Sequence, residues 1–288
     1  MLVIGLAVCL QGEALAAPEV MDAAGSLFDA EYFAKNHPEI ASYVGSDAET
    51  LYRYYSTYGY RQGMKPYDDG ERCIVIIGDS RVCGLLCTLM RNEDIETVKT
   101  YVSGGGKYMS GKFRDGDNWI VLSGEMSGRL SRDSYDRSVG TVKDIISHDV
   151  TLGNIDNYTF INMYGINDLY HNQSGASVYP ARYLAKDEDI YENFAYCDVA
   201  YQFNTGPIDE RGIVAKRGFH NSAIEAYNQG FVSSDNVTVI DLYTYLIEND
   251  FNGIITVEAN DNTGLHYDDP TNQRIYELIL SLIDTEIK

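Results

Sequence analysis

The chain is short of positive charge. Its 22 lysines and arginines face 43 aspartates and glutamates, which gives a formal net charge of −21 at pH 7. A field of that sign repels nucleic acids and anionic lipids, so neither is an expected partner. Neutral ligands are easier to reconcile with it. The hydrophobic content is 44%, which is enough to bury a full core and argues against a disordered chain.

Long apolar runs are missing as well. The run Leu2–Leu10 is too short to span a bilayer, and no stable membrane insertion is expected. Small residues follow it at Ala14 and Ala16, so it predicts a signal peptide over residues 1–17 that lacks the usual basic start. We therefore expect an exported protein, either secreted or held at the cell surface.

Cysteine is scarce, and its spacing excludes a zinc site of known type. Beyond the signal segment, Cys73 opens a predicted core strand, and Cys83 and Cys87 lie one helical turn apart. Together with Cys197 they permit three disulfide pairings. Their settings favour buried free thiols, since cysteine often packs as a small hydrophobic residue. No metal or other cofactor is expected.

Residues 18–68 predict a small helical module. Asp29 is placed to cap a first helix, Pro38 interrupts it, and Ser46–Glu49 has the pattern of a capping box for a second helix. The second helix carries apolar and aromatic residues at helical spacing: Leu51, Tyr54, Tyr55 and Tyr58. Such a stripe fits helix packing or contact with carbohydrate, and both readings stay open. The module resembles tyrosine-rich units near the N-termini of some bacterial surface proteins.

Residues 69–288 alternate strands with helices. The predicted strands are Cys73–Ile77, Thr97–Val102, Tyr158–Met163, Val199–Phe203 and Val237–Ile240. The predicted helices are Val82–Arg91, Val139–Ser147, Asn221–Gly230 and Thr271–Ile283. Repeated βα units predict a three-layer α/β/α domain whose parallel sheet has about five strands. The Ser/Gly/Arg-rich stretch 119–136 is expected to form a loop over the site.

The most informative segment is Gly78-Asp79-Ser80-Arg81, directly after the apolar run Ile74–Ile77. The run predicts a buried strand that ends at a tight turn. That turn would hold the Ser80 hydroxyl at the carboxyl edge of the sheet, where open α/β folds keep their ligands. Arg81 is expected to form a salt bridge at the sheet edge, with an anionic group of the substrate as its other possible partner.

Three further segments supply what a nucleophilic serine needs. A serine hydroxyl is a weak nucleophile until a base takes its proton, and His266 stands in a loop ahead of the last helix. The tetrahedral intermediate needs hydrogen-bond donors, which the Asn167 amide and the backbone of Gly104–Gly106 can supply. Each follows a predicted strand. The pattern therefore predicts a serine hydrolase.

In this order and spacing the segments resemble the SGNH (GDSL-type) hydrolase family over roughly residues 70–288. The resemblance implies a flavodoxin-like α/β/α fold, with Asn204–Pro207 where the family often has an Asn-Pro turn. It implies these roles: Ser80 as nucleophile and as one backbone oxyanion donor, Gly106 as the glycine donor, Asn167 as the side-chain donor and His266 as general base.

One position departs from the family pattern. The family's acidic residue lies three positions before the histidine, and this chain has Thr263 there. In a triad protease the carboxylate fixes the imidazole tautomer, and its loss lowers the rate by roughly 10⁴. Three accounts stay open: Asp261 reaches the imidazole, a backbone carbonyl orients His266 in a dyad, or the protein is a weak or inactive relative.

The sequence thus predicts an exported serine esterase of the carboxylesterase or acetylesterase type. The expected substrates are small acyl esters, above all O-acetyl groups on carbohydrate or cell-wall polymer, because no long apolar lid of the lipase kind is present. The module over residues 18–68 adds possible glycan contact. The alternative is an inactive hydrolase fold that serves as a glycan- or wall-binding protein.

Overall fold

A computed structural model of the chain describes residues 19–21, 26–67, 70–91, 96–99, 108–149, 151–155, 157–194, 197–249 and 262–286. The chain divides into two compact units, Met1–Gly70 and Glu71–Lys288. The signal-peptide prediction for residues 1–17 lies outside the described residues.

The first unit is helical. It consists of a two-residue antiparallel pair, β1 and β2, then three helices and two short turns: β1 Glu19–Val20, β2 Leu27–Phe28, α1 Ala30–Asn36, α2 Pro38–Val44, α3 Ala48–Tyr54, a π-turn Tyr55–Gly59 and a 3₁₀ turn Tyr60–Gln62. Its small core is formed by Phe28, Phe33, Ile40 and Leu51.

N-terminal caps fix where α1 and α3 begin. Asp29 accepts hydrogen bonds from the N–H groups of Glu31 at 2.9 Å and Tyr32 at 3.0 Å, which confirms it as the N-cap of α1. The predicted capping box is wrong. The N-cap of α3 is Asp47, one residue after Ser46, and its carboxylate accepts a hydrogen bond from the Thr50 N–H at 3.0 Å.

The second unit is built on one seven-stranded sheet in the order β4-β5-β6-β3-β7-β8-β9. The strands are β3 Arg72–Gly78, β4 Glu96–Lys99, β5 Tyr108–Asp115, β6 Asn118–Glu125, β7 Tyr158–Met163, β8 Cys197–Phe203 and β9 Val237–Ile240. The five strands β6, β3, β7, β8 and β9 are parallel, and the β4-β5-β6 side is an antiparallel extension. If the parallel strands are numbered by their order in the chain, their order across the sheet is second, first, third, fourth, fifth.

Two layers of helices cover this sheet. The helices are α4 Ser80–Arg91, α5 Ser134–Ser147, α6 Ile166–His171, α7 Tyr179–Asn193, α8 Ile213–Lys216, α9 Asn221–Asn228, α10 Leu242–Glu248 and α11 Asp269–Glu286. One core cluster joins α5, α6, α7, α8 and α9 to one face, and a second joins α4, α10 and α11 to the other. In β3 Val75 belongs to the first and Ile76 to the second, as the period of two in a strand requires.

The α/β architecture is confirmed, with corrections to its elements. The stretch 119–136 is not a loop over the site: β6 occupies residues 118–125 beside β3, and its Ile120, Val121 and Leu122 are fully buried. The strand predicted at Thr97–Val102 is the short edge strand β4, which pairs antiparallel with β5 and so does not belong to the parallel βα series. Helix α7 was not predicted.

The four described cysteines are free. Cys73 and Cys83 are buried, as expected, whereas Cys87 and Cys197 are half-buried. Burial raises the pKa of the Cys83 thiol to about 12, which keeps it protonated and unreactive near neutral pH. No helix in the described part of the chain is long and apolar enough to cross a membrane.

Candidate functional site

The site lies where the strand order reverses. From β3 the chain crosses to β6 on one side and then returns to β7 on the other, so β3 and β7 are neighbours whose following loops part in opposite directions. A crevice outside the carboxyl ends of such strands is where open α/β sheets bind ligands. Ser80 is the first residue of α4, directly after β3, and Asn167 lies in the first turn of α6, after β7.

The structure brings Ser80 and His266 together across 186 residues of sequence. The Ser80 Oγ and the His266 Nε2 are 2.9 Å apart, within hydrogen-bond distance. Ser80 is 7% exposed and His266 half-buried, so the pair stands at the rim of the core with one open side. This is the separation that a base needs to take a proton from a hydroxyl.

The helices that carry this pair are joined to each other. Thr88 of α4 donates to Asp269 Oδ1 of α11 at 2.8 Å and accepts from Asn272 Nδ2 at 3.0 Å. Arg91 adds an exposed ion pair with Asp269. Since α4 begins at Ser80 and α11 begins three residues after His266, the two Thr88 bonds limit how far the two side chains can separate, whereas the exposed Arg91 ion pair contributes little to this.

The loop before His266 is held by its backbone. The carbonyls of Asn262, Thr263 and Gly264 accept hydrogen bonds from the N–H groups of Ile213, Val214 and Asp209, respectively, at 2.9 to 3.2 Å. Thr263, at the position of the family's acid, accepts the Leu265 N–H on its hydroxyl at 3.1 Å. Its hydroxyl therefore shapes the loop. Asp261, the other acid considered, lies outside the described residues, as does Gly106.

Asn167 carries a buried donor for which the described part of the chain offers no partner. The residue is 5% exposed, and its Nδ2 makes no hydrogen bond with any described residue. A buried amide left without a partner is costly in free energy, so it points to a group that binds there. The backbone turn before it requires glycine: Gly165 has φ +154°, and a Cβ would lie 2.7 Å from Thr205 Oγ1.

Two carboxylates beside these residues support the backbone. Asp168 accepts the Leu130 N–H at 3.1 Å and the hydroxyl of Tyr183. Asp79 accepts the Arg81 N–H at 3.0 Å on Oδ1, and its carbonyl accepts the Val82 N–H, which closes the first turn of α4. Both residues are structural in these contacts.

Asp79 also contributes to the electrostatics of the site. Burial raises the pKa of its carboxyl to about 6, while the nearby positive charges of Arg81 and His266 act in the opposite direction. Among the described residues its Oδ2 is buried without a hydrogen-bond partner. Near neutral pH the site therefore holds a poorly solvated negative charge close to the imidazole.

This carboxyl predicts a pH dependence of stability. Its pKa is raised above the unfolded value of 3.8, so the folded protein binds the extra proton and the group's contribution to stability is lost as pH rises from about 4 through 6. The loss amounts to about 3 kcal/mol of unfolding free energy. In Asp79→Asn it should be absent, so the variant gains stability relative to the wild type as pH rises. Urea unfolding at several pH values measures this, and parallel curves would contradict the assignment.

A further backbone segment close to Ser80, which was not predicted, comes from β6, the strand next to β3. Gly124 in β6 is paired with Gly78, and a Cβ on it would lie 2.7 Å from the Cys83 nitrogen and 3.0 Å from the Asp79 carbonyl. Only glycine lets the two chains approach so closely. The signal was the Gly124 to Gly128 spacing after a W-I-V-L run, which the surrounding Ser, Gly and Arg obscured.

The salt bridge predicted for Arg81 is wrong. Its guanidinium donates to the backbone carbonyls of Leu265, Gly206 and Pro207. In addition, no group of three or more His, Cys, Asp or Glu side chains that could hold a metal occurs among the described residues.

Comparison with known proteins adds little. No protein-family profile matches the chain, and no curated protein matches it. Among solved structures it has a weak similarity to Era in complex with MgGDPNP and nucleotides 1506–1542 of 16S ribosomal RNA, with a TM-score of 0.23 and 12% sequence identity. The match covers 62% of this chain and 55% of that one. A TM-score this low carries no argument about fold or function.

Proposed function

We propose that the protein is a serine esterase of the SGNH type. The observation that carries this proposal is the 2.9 Å contact between Ser80 Oγ and His266 Nε2, formed at the topological switch point of the sheet. The order of the parallel strands supports it, because second-first-third-fourth-fifth is the flavodoxin-like order that the resemblance implies. The unpartnered Asn167 amide beside the pair supports it further.

The proposed reaction is acyl transfer in two steps. Ser80 Oγ attacks the ester carbonyl while His266 Nε2 takes its proton, and the imidazolium then gives that proton to the departing alcohol. Water, deprotonated by the same imidazole, attacks the acyl-enzyme. The bond between the acyl carbon and Ser80 Oγ then breaks, the imidazolium returns the proton to Ser80 Oγ, and the acid is released.

The oxyanion is held by donors that are fixed before reaction. Asn167 Nδ2 and the Ser80 backbone N–H are two of them, and the latter also benefits from the partial positive charge at the N-terminus of α4. The resemblance assigns a third donor to Gly106. The backbone after Gly124 is a second candidate for that position, because β6 adjoins β3 and ends beside Ser80.

The orientation of the imidazole still has three candidate explanations, which are Asp261, a backbone carbonyl in a Ser-His dyad, or a loosely held and slow base. The hydrogen bonds that fix the backbone at 262–264 favour the first two explanations over a loosely held base. These bonds form whichever group faces the second imidazole nitrogen.

The proposed substrates are small acyl esters, chiefly acetyl groups on carbohydrate or cell-wall polymer, met outside the cell or at its surface. The strong negative charge of the chain is compatible with a neutral acetylated glycan.

Two assays on the mature protein test this proposal. Hydrolysis of p-nitrophenyl acetate should exceed the buffer rate at least about 100-fold, since a positioned serine and base supply covalent catalysis. A fluorophosphonate probe should label one site per chain, and peptide mass spectrometry should place the label on Ser80. Absence of both turnover and labelling in folded protein would contradict the esterase assignment.

A glycan-binding protein without activity is the second candidate. The first unit favours it through three exposed rings: Tyr43 is 89%, Tyr58 58% and Tyr60 71% exposed. Tyrosine rings present flat apolar faces on which sugars stack. Binding of wall polysaccharide combined with a silent fluorophosphonate assay would favour this reading over the esterase.

A further inference from the structure

The Arg81 side chain makes an unusual set of contacts for a residue next to a nucleophile. Its Nε donates to the Leu265 carbonyl at 2.8 Å, Nη1 to the Gly206 carbonyl at 2.9 Å and Nη2 to the Pro207 carbonyl at 3.0 Å. The guanidinium carbon lies 4.4 Å from the centre of the Tyr267 ring. The residue is only 5% exposed, so these contacts are largely shielded from water.

These contacts surround the base. Leu265 directly precedes His266 and Tyr267 directly follows it, so one guanidinium holds both neighbours of the imidazole. The Tyr267 hydroxyl in turn donates to the Pro207 carbonyl at 3.2 Å. Arg81 thus joins three separate parts of the chain: the turn that carries Ser80, the segment after β8 and the loop that carries His266.

We propose that Arg81 is the positioning residue of His266: it sets the distance and direction of the imidazole relative to Ser80. This inference rests on the proposed esterase function. The guanidinium and Ser80 Oγ belong to adjacent residues at the start of one helix. The loop segments that Arg81 binds are therefore held at a fixed distance from Ser80. It acts through the loop backbone and need not touch the substrate.

Arginine suits this task for a geometric reason. Its planar fork presents donors in fixed directions, and here three of them meet three carbonyls while the flat face lies on an aromatic ring. Lysine keeps the charge but has a single nitrogen at the end of a flexible stem, so it cannot hold all three carbonyls in one plane. Arg81→Lys therefore separates the fork from the charge.

We expect Arg81→Lys to lower kcat for p-nitrophenyl acetate about 10- to 100-fold with little change in KM, because an imidazole misplaced by about 1 Å loses that much. The matched control is Arg91→Lys, which lies on the same helix and also reaches α11 but is exposed and touches no part of the His266 loop. The control should stay within about twofold of the wild type.

Chemical rescue distinguishes positioning from general destabilisation. Arg81→Ala leaves space for a free guanidinium, so added methylguanidinium should raise the kcat of this variant at least about tenfold. It should have no effect on the kcat of Arg91→Ala. If Arg81→Ala fails to fold, Arg81→Lys is measured with thermal unfolding as a check. Equal kcat for Arg81→Lys and Arg91→Lys, in a wild type that is active, would overturn the inference and leave the esterase assignment intact. An inactive, unlabelled wild type would overturn the assignment itself.

Discussion

Ser80→Ala should lower kcat/KM for p-nitrophenyl acetate by roughly 10⁴- to 10⁶-fold and abolish fluorophosphonate labelling. In the proposed reaction the hydroxyl oxygen forms the bond to the acyl group, and alanine has no atom at that position to contact His266 Nε2. His266→Ala should cost a similar factor, because without the base the hydroxyl keeps its proton. Residual rates measured at high enzyme concentration, with contaminating esterases removed, give the two factors.

The double variant makes the same prediction sharper. Groups that act as a unit are not additive, so Ser80→Ala combined with His266→Ala should be no slower than the worse single variant within about threefold. His148→Ala and Ser281→Ala are matched controls, since both residues are exposed and lie away from the pair. A double variant slower by the product of the two factors would mean that Ser80 and His266 act in separate steps.

Asn167→Ala should lower kcat by roughly 10² to 10³ while KM stays within a few-fold, because an oxyanion donor acts mainly in the transition state. Asn167 Nδ2 has no hydrogen-bond partner among the residues that the structure describes, so removing it breaks no hydrogen bond seen for that atom. Stability should consequently change much less than rate. Kinetics and urea unfolding on the same samples measure both quantities.

Asn172→Ala is the control for this substitution, since that amide lies nearby along the chain and makes only a 3.4 Å contact with the Tyr179 hydroxyl. Asn167→Asp is a second test of charge. It keeps the shape but replaces the donor by an acceptor that repels an oxyanion, so it should be at least as slow as Asn167→Ala. If the free energy of unfolding falls by as much as the activation free energy for kcat rises, Asn167 has a structural role instead.

The strands that precede Ser80 and Asn167 were predictable because burial on both faces leaves an unbroken apolar run. β3 and β7 are of this kind, and their following turns carry Ser80 and Asn167. The order of motifs then predicted that His266 would meet Ser80, although 186 residues separate them. The positions of Ser80 and Asn167 could be predicted because each follows a strand at the same sheet edge, whereas His266 was placed by its position before the last helix.

What escaped prediction depends on partners far away in the chain. β5 contains Lys112, which is buried because it pairs with Asp149, and such a charge within a strand masks the apolar pattern. α7 buries Asp187 against the Tyr135 hydroxyl and the Asn162 amide, again a pairing between distant elements. The Arg81 contacts were missed for a related reason, since backbone carbonyls exist at every position and carry no signal of residue type.

The two helical layers of the second unit divide the proposed chemistry along the midplane of the sheet. Ser80 and His266 belong to α4 and to the loop before α11, which pack on one face, whereas Asn167 belongs to α6 on the opposite face. Proton transfer and the Ser80 N–H donor are thereby assembled on one side, and the Asn167 donor on the other. The pairing of β3 with β7 sets how the Asn167 side lines up with Ser80, while the Arg81 and Thr88 contacts align His266 within its own side.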